Sequence, residues 1–509
     1  MHPKELVVVL AIALIVFAVA RPIARAYMSD ADFVRRRNVW LFLTACAFLS
    51  PSFWIYAGVA AVTCWWAGRR DSNPAAFFLI AFAIIPPVDF YIPVIGINTL
   101  FSLNQARILS LLVMLPLALR LFLRNEGGIA RRLTLIDVLL VAYITLQVVL
   151  VTPFESFTNT LRRSFLFGVD TLIVYYAFSR SMTHRRAIVD AMATFSLACI
   201  IYGSIAIFEW AKGWLLYQGV SEGWGMSVAG SFLMRGQDLR AQASAGHSLT
   251  LGYTLTIGFG LWLYVRSAVK SRALRFATTA LFCLAIYAAH ARGPWLTAVV
   301  IYFLYLAISP AGRSMFLKSA TVALVTAGIL AATPIGQRVI DTLPFIGTVD
   351  QENVIYRRRL AEESWRLVMQ NPLFGDPFVA SRMEDLRQGQ GIIDLMNAYA
   401  AVALFTGLVG LALFVGFFLV GTARTYACQR RLQSVSPEVA SMGATLVACM
   451  LGSLFFMATA SIDWVEYVLL ACMAGYISAF SISSRRMTGL APVEPDGARA
   501  QPFAVGTSR

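Results

Sequence analysis

Apolar residues in this chain fall in long, unbroken runs, near 5–20, 39–50, 53–67, 75–92, 104–123, 133–151, 163–178, 187–208, 246–265, 274–289, 294–309, 315–333, 397–420, 437–459 and 465–482. The runs do not alternate with period two, so they do not describe an outer-membrane barrel. Most are close to the roughly 20 residues that a helix needs to cross a bilayer. In lipid the backbone must satisfy its own hydrogen bonds, and a helix does so within one segment. The pattern therefore predicts an all-α, polytopic integral membrane protein of about 13–15 transmembrane helices. Pro51 splits the 39–67 stretch into two short pieces, either a tight hairpin of short helices or one kinked span; the orientation set out below requires the hairpin. Pro86-Pro87 is expected to end or kink a span. The first run is followed, not preceded, by positive charge, unlike a signal peptide.

Composition agrees. Of 509 residues, 58% are hydrophobic and 14% charged, and the mean hydropathy is +0.69. A soluble domain is poorer in apolar and richer in charged residues, and a disordered chain is more polar still. The net charge of +15 does not indicate nucleic acid. In a membrane protein such an excess sits in cytoplasmic loops. The short loops near 21–38, 68–74, 120–132, 179–186, 266–275, 310–318 and 421–436, with the C-terminal tail, hold most of the 42 basic residues. That side is expected to face the cytoplasm, with a multi-pass placement in the bacterial inner membrane. Six of seven cysteines fall in apolar runs and Cys428 in a basic loop, so no disulfide is expected.

This orientation divides the chain into four parts. Residues 1–333 hold transmembrane helices with a periplasmic loop near 209–246. Residues 334–396 form a large periplasmic loop and the candidate catalytic segment. Residues 397–482 hold the last transmembrane helices, and 483–509 a disordered cytoplasmic tail. A helix-like piece, Tyr356 to Met369, lies within the large loop.

Soluble-enzyme signatures are absent: the sequence has no G-x-x-x-x-G-K-[ST], H-E-x-x-H or G-x-S-x-G. It has four histidines. His184 reads as part of a solvated basic cluster, and His247 and His290 as residues at outer membrane boundaries. Arginine recurs at that same level: Arg107, Arg162, Arg163, Arg240, Arg292 and Arg357 to Arg359. Taken singly, each is as well explained by snorkelling or headgroup contact. Several converging would make a phosphate site, because the guanidinium fork donates two bonds and stays charged. Asp170, in mid-run, is expected to find an Arg or Ser partner, with Arg162, Arg163 and Arg180 on its own helix. Asp89, Glu209, Asp463 and Glu466 read as boundary residues.

Several short motifs carry a family resemblance over roughly residues 235–420. Arg292-Gly293-Pro294-Trp295 resembles the S-R-G turn of bacterial O-antigen ligases and polysaccharide polymerases. Arg358 or Arg359, then Trp365, then Asn371-Pro372-Leu373-Phe374-Gly375, is similar to that family's R-x-x-x-W…hPLxG element. Asn397-Ala398-Tyr399, followed by Thr406-Gly407-Leu408-Val409-Gly410, resembles H-N-x-Y-L…xGxxG. His247-Ser-Leu-Thr-Leu-Gly252 resembles h-P-x-x-L-G. The sequence departs from the family at Met396, where the pattern has the histidine taken as base for the acceptor hydroxyl.

The resemblance implies a metal-free glycosyl transfer at the periplasmic face, with no cofactor. The substrate is a lipid-linked oligosaccharide, a glycan carried on undecaprenyl pyrophosphate. Arg292 and Arg358 or Arg359 are expected at the pyrophosphate, with Arg240 as a third candidate. Asp394 or His247 is the candidate base, with His290 a further source. Asp394 and Asn397, three apart, would share a helical face. Asn397 and Tyr399 would orient groups or contact sugar, although Tyr399 also fits plain helix packing. The Met396 departure tilts the reading from ligase towards a polymerase of O-antigen or exopolysaccharide repeats. Expected partners are the membrane and other polysaccharide-assembly proteins, such as a flippase or chain-length regulator. The competing classes are a flippase or other transporter, which would place charge and broken helices at mid-membrane, and a scaffold without chemistry.

Overall fold

The computed structural model describes residues 3–92, 99–125, 128, 130–226, 234–235, 238–310, 312–331, 333, 351–387 and 393–487. The protein is a helical bundle. Its first half comprises α1 (Pro3–Ala24), α2 (Asp30–Leu49), α3 (Phe53–Arg70), α4 (Pro74–Phe82), α5 (Gln105–Arg124), α6 (Leu135–Val151), α7 (157–181) and α8 (Arg185–Lys212). After a short α9 (Gln218–Gly223) come α10 (Ser248–Val265), α11 (Arg272–Ala288), α12 (Arg292–Ile308) and α13 (Arg313–Ala331). The chain ends with α14 (Gln351–Gln370), α15 (Ala398–Leu432), α16 (Pro437–Thr459) and α17 (Trp464–Met487). Two small antiparallel ribbons, β1 (Phe90–Tyr91) with β2 (Ser102–Leu103) and β3 (Met234–Arg235) with β4 (Asp238–Leu239), lie in the connections.

Among the described residues, seven helices are long and apolar enough to cross a membrane: α1, α5, α8, α10, α15, α16 and α17. α6, α12 and part of α13 are shorter apolar helices. The protein is therefore a multi-pass membrane protein. α10 is apolar all round and nearly wholly buried, which makes it a central helix. It packs closely because it carries glycines. A methyl built on Gly258 or Gly260 would collide with Cys199 or Cys449, the small-residue contact expected between membrane helices.

Local sequence sets the helix ends. Asn73 and Thr134 cap α4 and α6 through side-chain bonds to Ala76 N and Asp137 N, and Asp137 bonds back to Thr134 N. The hairpin read across 39–67 is present, with Ser50-Pro51-Ser52 as its turn. Its first helix begins at Asp30, so the basic stretch near 21–38 is largely helix, not loop. Likewise α15 runs through Leu432 into the stretch read as the 421–436 loop. The 75–92 run is helical only to Phe82 in α4, before Pro86-Pro87. The helix-like piece at Tyr356 to Met369 is α14. The tail read as disordered falls, from 488 onward, outside the described residues. So do 227–233 and 236–237 of the 209–246 loop and 334–350 and 388–392 of the large loop.

Buried arginines tie the bundle together at one face. Arg36 donates to Asp71 at 2.7 Å, Asp190 at 2.6 Å and Thr194 at 2.8 Å. It thereby joins α2, the end of α3 and the start of α8. Arg180 donates to Asp137 at 2.6 Å, and Asp137 also accepts Tyr175 Oη at 2.7 Å. The far end of the bundle, where α14 lies, is called the loop face below.

Candidate functional site

The loop face is organised first by a carboxylate. Glu209, fully buried in the last turn of α8, accepts Leu216 N at 2.9 Å, Gln242 N at 2.9 Å and Ala243 N at 2.8 Å. It pins both ends of the 213–243 connection, so it does more than mark a boundary. Ala241 N then donates to Ala288 O at 3.1 Å, which fixes Arg240 beside the end of α11. Four residues after Gln242 the chain turns at Gly246 into α10, whose N-cap is His247.

The turn from α11 to α12 presents Arg292. His290 adopts positive φ, 45°, and the new helix begins at Arg292 two residues later. His290 is buried in an aromatic cluster, 5.0 Å from the Tyr287 ring and 6.2 Å from Trp210. These ring contacts pack His290 against the turn. Trp295 stacks on Tyr287 and donates Nε1 to Ile286 O at 2.9 Å, locking the turn. Pro294 packs on Gly252, where any Cβ would collide with it, so α10 and α12 touch at this end. Their N-termini both open on the loop face and add partial positive charge there.

The later motifs explain one another. α15 is broken at Gly407, with φ 67° and ψ −172°. The Pro372-Leu373-Phe374-Gly375 turn inserts at the break. Leu408 N donates to Pro372 O at 2.8 Å and Val409 N to Leu373 O at 3.2 Å, while Asp376 N donates to Leu404 O at 2.8 Å. The turn thus supplies acceptors for amides freed by the kink. Gly375 and Gly407 both have positive φ, and a Cβ on either would strike the other segment's backbone. This interlock, with a small core of Leu360, Leu367, Val368, Ala403 and Leu404, clamps α14 onto the top of α15.

With α14 so placed, Arg357 reaches the membrane helices. Its Nη1 donates to Thr459 O, at the end of α16, at 3.4 Å. A methyl on Gly293 would lie 3.3 Å from Thr459 Oγ1, so Arg357 and the start of α12 flank the same residue. Burial lowers the Arg357 guanidinium from its ordinary pKa. The charge of Asp394 opposes this, and that of Arg292 adds to it. His247 feels both Arg240 and Asp394. Burial first, then Arg240, pulls its imidazole down to about 4, against Asp394. His247 is therefore neutral at pH 7. Its Nδ1 accepts Leu249 N at 3.3 Å, so its proton resides on Nε2. In that form it donates at Nε2 and has its basic nitrogen engaged.

Asp394 bears on both Arg357 and His247, Arg292 on Arg357, and Arg240 on His247, so charges from five segments act on one another here. Of the arginines singled out on α14, Arg358 instead pairs with Glu362 at 3.0 Å on the exposed surface. Arg359 is exposed, as Arg357 also is, but two residues on from Arg357 it projects to the far side of the helix. Of the three, Arg357 is the one whose bond to a membrane helix is described. Nor do Asp394 and Asn397 share a helical face. Residues 393–397 are extended or turned, and Asn397 is the N-cap of α15, accepting Tyr399 N at 2.9 Å and Ala400 N at 3.1 Å. Tyr356 Oη donates to Leu386 O at 3.2 Å and to Asp394 O at 3.4 Å, which holds this stretch on α14. Tyr399 Oη donates to Leu454 O at 2.7 Å, the helix-packing alternative.

Asp170 finds the arginine partner expected of it, on another helix. It pairs with Arg107 at 2.8 Å and not with an arginine of its own helix. Arg107 also meets Asp89 at 3.2 Å and Ser102 O at 2.7 Å, beside π turns at Ser110–Met114 and Gly168–Leu172. It is consumed by structure. Arg162 is held by the Leu100 and Thr99 carbonyls, and Arg163 by Glu155. Glu466, read as a boundary residue, is buried and accepts Asp463 N at 3.1 Å. Pro86 and Pro87 line a small crevice with Gln105, Tyr202, Ser244 and Trp464.

Residues 276–415 match the protein-family model described as O-antigen ligase. The match begins in α11 and ends in α15, past the Gly407 break, so it contains Arg292, Arg357 and Asp394, while Arg240 and His247 precede it. The resemblance read from the motifs is borne out over this stretch. It supports a function of the O-antigen ligase and polymerase type in general, and a membrane enzyme of the glycosyltransferase type. No curated protein matches the chain.

Proposed function

We propose that this O-antigen ligase-like chain polymerises lipid-linked polysaccharide repeat units, O-antigen or exopolysaccharide, at the periplasmic face of the inner membrane. The observation that carries the reading is that Arg357, bonded to Thr459 O beside Gly293, reaches the helix start that carries Arg292, with Arg240 held at the end of α11 and Asp394 held on α14. A glycan on undecaprenyl pyrophosphate places its pyrophosphate at that depth, with the polyprenyl tail in lipid. Arg292 and Arg357, with Arg240 beside them, stabilise the charge that grows on the leaving pyrophosphate. The N-termini of α10 and α12 add to that field.

Asp394 is the base. The acceptor sugar's hydroxyl oxygen attacks the anomeric carbon of the donor glycan, and its proton passes to Asp394. The bond from the anomeric carbon to the pyrophosphate oxygen breaks, and undecaprenyl pyrophosphate leaves. His247 serves through its Nε2 proton as a hydrogen-bond donor, because its other nitrogen is engaged by Leu249 N. The chain's own residues supply positioning, charge and a proton acceptor, with no metal or cofactor invoked.

A second reading, transfer to lipid A-core or another acceptor, is equally compatible with the matched family. Complementation in the host separates the two. A deletion strain is restored with wild type, Arg357→Ala or Asp394→Asn, at matched membrane abundance, and its lipid-linked intermediates are analysed. Asp394→Asn should lower turnover by about 10²–10⁴. Accumulation of single lipid-linked repeats supports polymerisation. Long lipid-linked chains without an acceptor mean a ligase, and repeats held on the cytoplasmic side mean a flippase. Unchanged polymer in both variants would overturn the site.

A further inference from the structure

The molecule carries an apolar, aromatic patch that the site does not use. It runs along one edge of the loop face. Trp365, Leu373 and Phe374 are 63%, 60% and 50% exposed, and Phe154 and Phe157, between α6 and α7, are 68% and 83% exposed. The Phe154 and Phe378 rings meet edge to face at 5.6 Å, so the two halves form one surface. On α14, Glu362, Trp365 and Met369 share a helical face, which turns from charged to apolar towards Leu373. Exposed apolar area of this extent marks an interaction site.

The depth of the patch identifies its occupant. α6 and α15 run antiparallel. Gly421 packs by Ile136, Gly416 by Leu139 and Gly410 by Leu146. α6 has 17 residues, about 25 Å of helix, close to the roughly 30 Å of a bilayer's hydrocarbon core. Its end at Val151 is therefore near one edge of that core, level with the Gly407 break. The Leu373-Phe374 turn is bonded to Leu408 and Val409 at that level, and Phe154 and Phe157 lie just beyond α6. Below the patch, Val138, Val141 and Val149 on α6 and Leu408 and Val409 on α15 are exposed as well, as lipid-facing positions are. The patch continues that surface upward. Trp concentrates where acyl chains meet headgroups, and helices that lie in that plane bury Trp, Phe and Leu there.

We propose that the Trp365–Phe378 edge of the loop segment, with Phe154 and Phe157, is seated in the acyl–headgroup boundary of the loop-face leaflet. Its partner is phospholipid. α14 then acts as an interfacial helix, and the interlock at Gly407 transmits its depth to Arg357 and Asp394. The seat concerns lipid alone and stands whatever reaction the site performs.

The test is spin labelling of the full chain in phospholipid nanodiscs, with Cys46, Cys283 and Cys428 replaced by alanine. Nitroxides are placed at Phe374→Cys and Phe157→Cys, with Val409→Cys as the lipid reference and Arg359→Cys as the water reference. Collision with oxygen and with a water-soluble nickel chelate is measured at each. Labels at 374 and 157 should favour oxygen over nickel several-fold more than the label at 359, approaching the ratio at 409. Nickel access equal to that at 359 would mean a solvated patch. Protection from both reagents would mean that protein covers it. Either result overturns the proposal. The label at 157 keeps it testable should the change at Phe374 disturb the turn.

Discussion

Two charged clusters sit at opposite faces of this bundle, and they are built in opposite ways. At one, a buried arginine stands among carboxylates: Arg36 contacts Asp71 and Asp190, while neighbouring Arg35 bonds Asp32 at 2.5 Å. At the other, a carboxylate stands near cations and a neutral imidazole: Asp394 interacts with Arg357 and His247, which in turn feel Arg292 and Arg240. The first arrangement closes on itself and joins helices. The second gathers guanidinium groups from three segments at a membrane boundary, which suits a polyanion arriving from outside the fold. An arginine's presence in a membrane protein therefore says little by itself. The groups that face it decide between scaffold and site.

The largest expected effect comes from breaking the scaffold cluster. Arg36→Ala leaves Asp71 and Asp190 buried without their cation, at a cost of about 3–5 kcal/mol. The thermal midpoint of the detergent-solubilised protein should fall, with a matching loss of membrane abundance. Arg357→Ala should do the reverse. Turnover drops about 10²–10³-fold, while the thermal midpoint stays near wild type. Gly407→Ala tests the link between loop and bundle. A side chain there is strained by about 1–3 kcal/mol and also meets the Leu373 carbonyl. Protease cleavage within 371–387 should become faster before the bundle itself unfolds. The smallest effect is expected for Arg358→Ala. Its pairing with Glu362 is exposed, and such pairs are worth about 0–1 kcal/mol, so turnover and stability should both stay close to wild type.

Sequence patterning made the helices legible, because long apolar runs in lipid admit few other solutions. Of those runs, only 75–92 is mostly non-helical in the described structure. Helix ends were harder to read. Asp30 to Arg37 reads as a polar loop, yet it is helix, since Arg36 is neutralised by residues 35 and 154 positions away. Pairings over such distances leave no local pattern. The same holds for Asp170, whose partner Arg107 lies on another helix. At the site, Arg292 and Asp394 were legible as residue types at a boundary. The choice of Arg357 over Arg358 and Arg359 depends on the rotation of α14, which the Gly375–Gly407 interlock fixes. The signal for that interlock was two glycine motifs 32 residues apart in the chain, whose contact becomes visible only in three dimensions. Glu209 was missed because a carboxylate at a helix end ordinarily meets water. Here it meets three backbone amides.

The central claim is that the cations around Asp394 receive a lipid pyrophosphate. The most direct measurement is binding of undecaprenyl pyrophosphate to the full chain in nanodiscs, followed by native mass spectrometry or by the shift in thermal midpoint. Wild type, Arg292→Ala, Arg357→Ala and Arg359→Ala are compared at two salt concentrations. Binding should weaken at least tenfold in Arg292→Ala and Arg357→Ala, stay at wild-type strength in Arg359→Ala, and fall with salt in the wild type. Equal affinity in all four proteins would contradict the account.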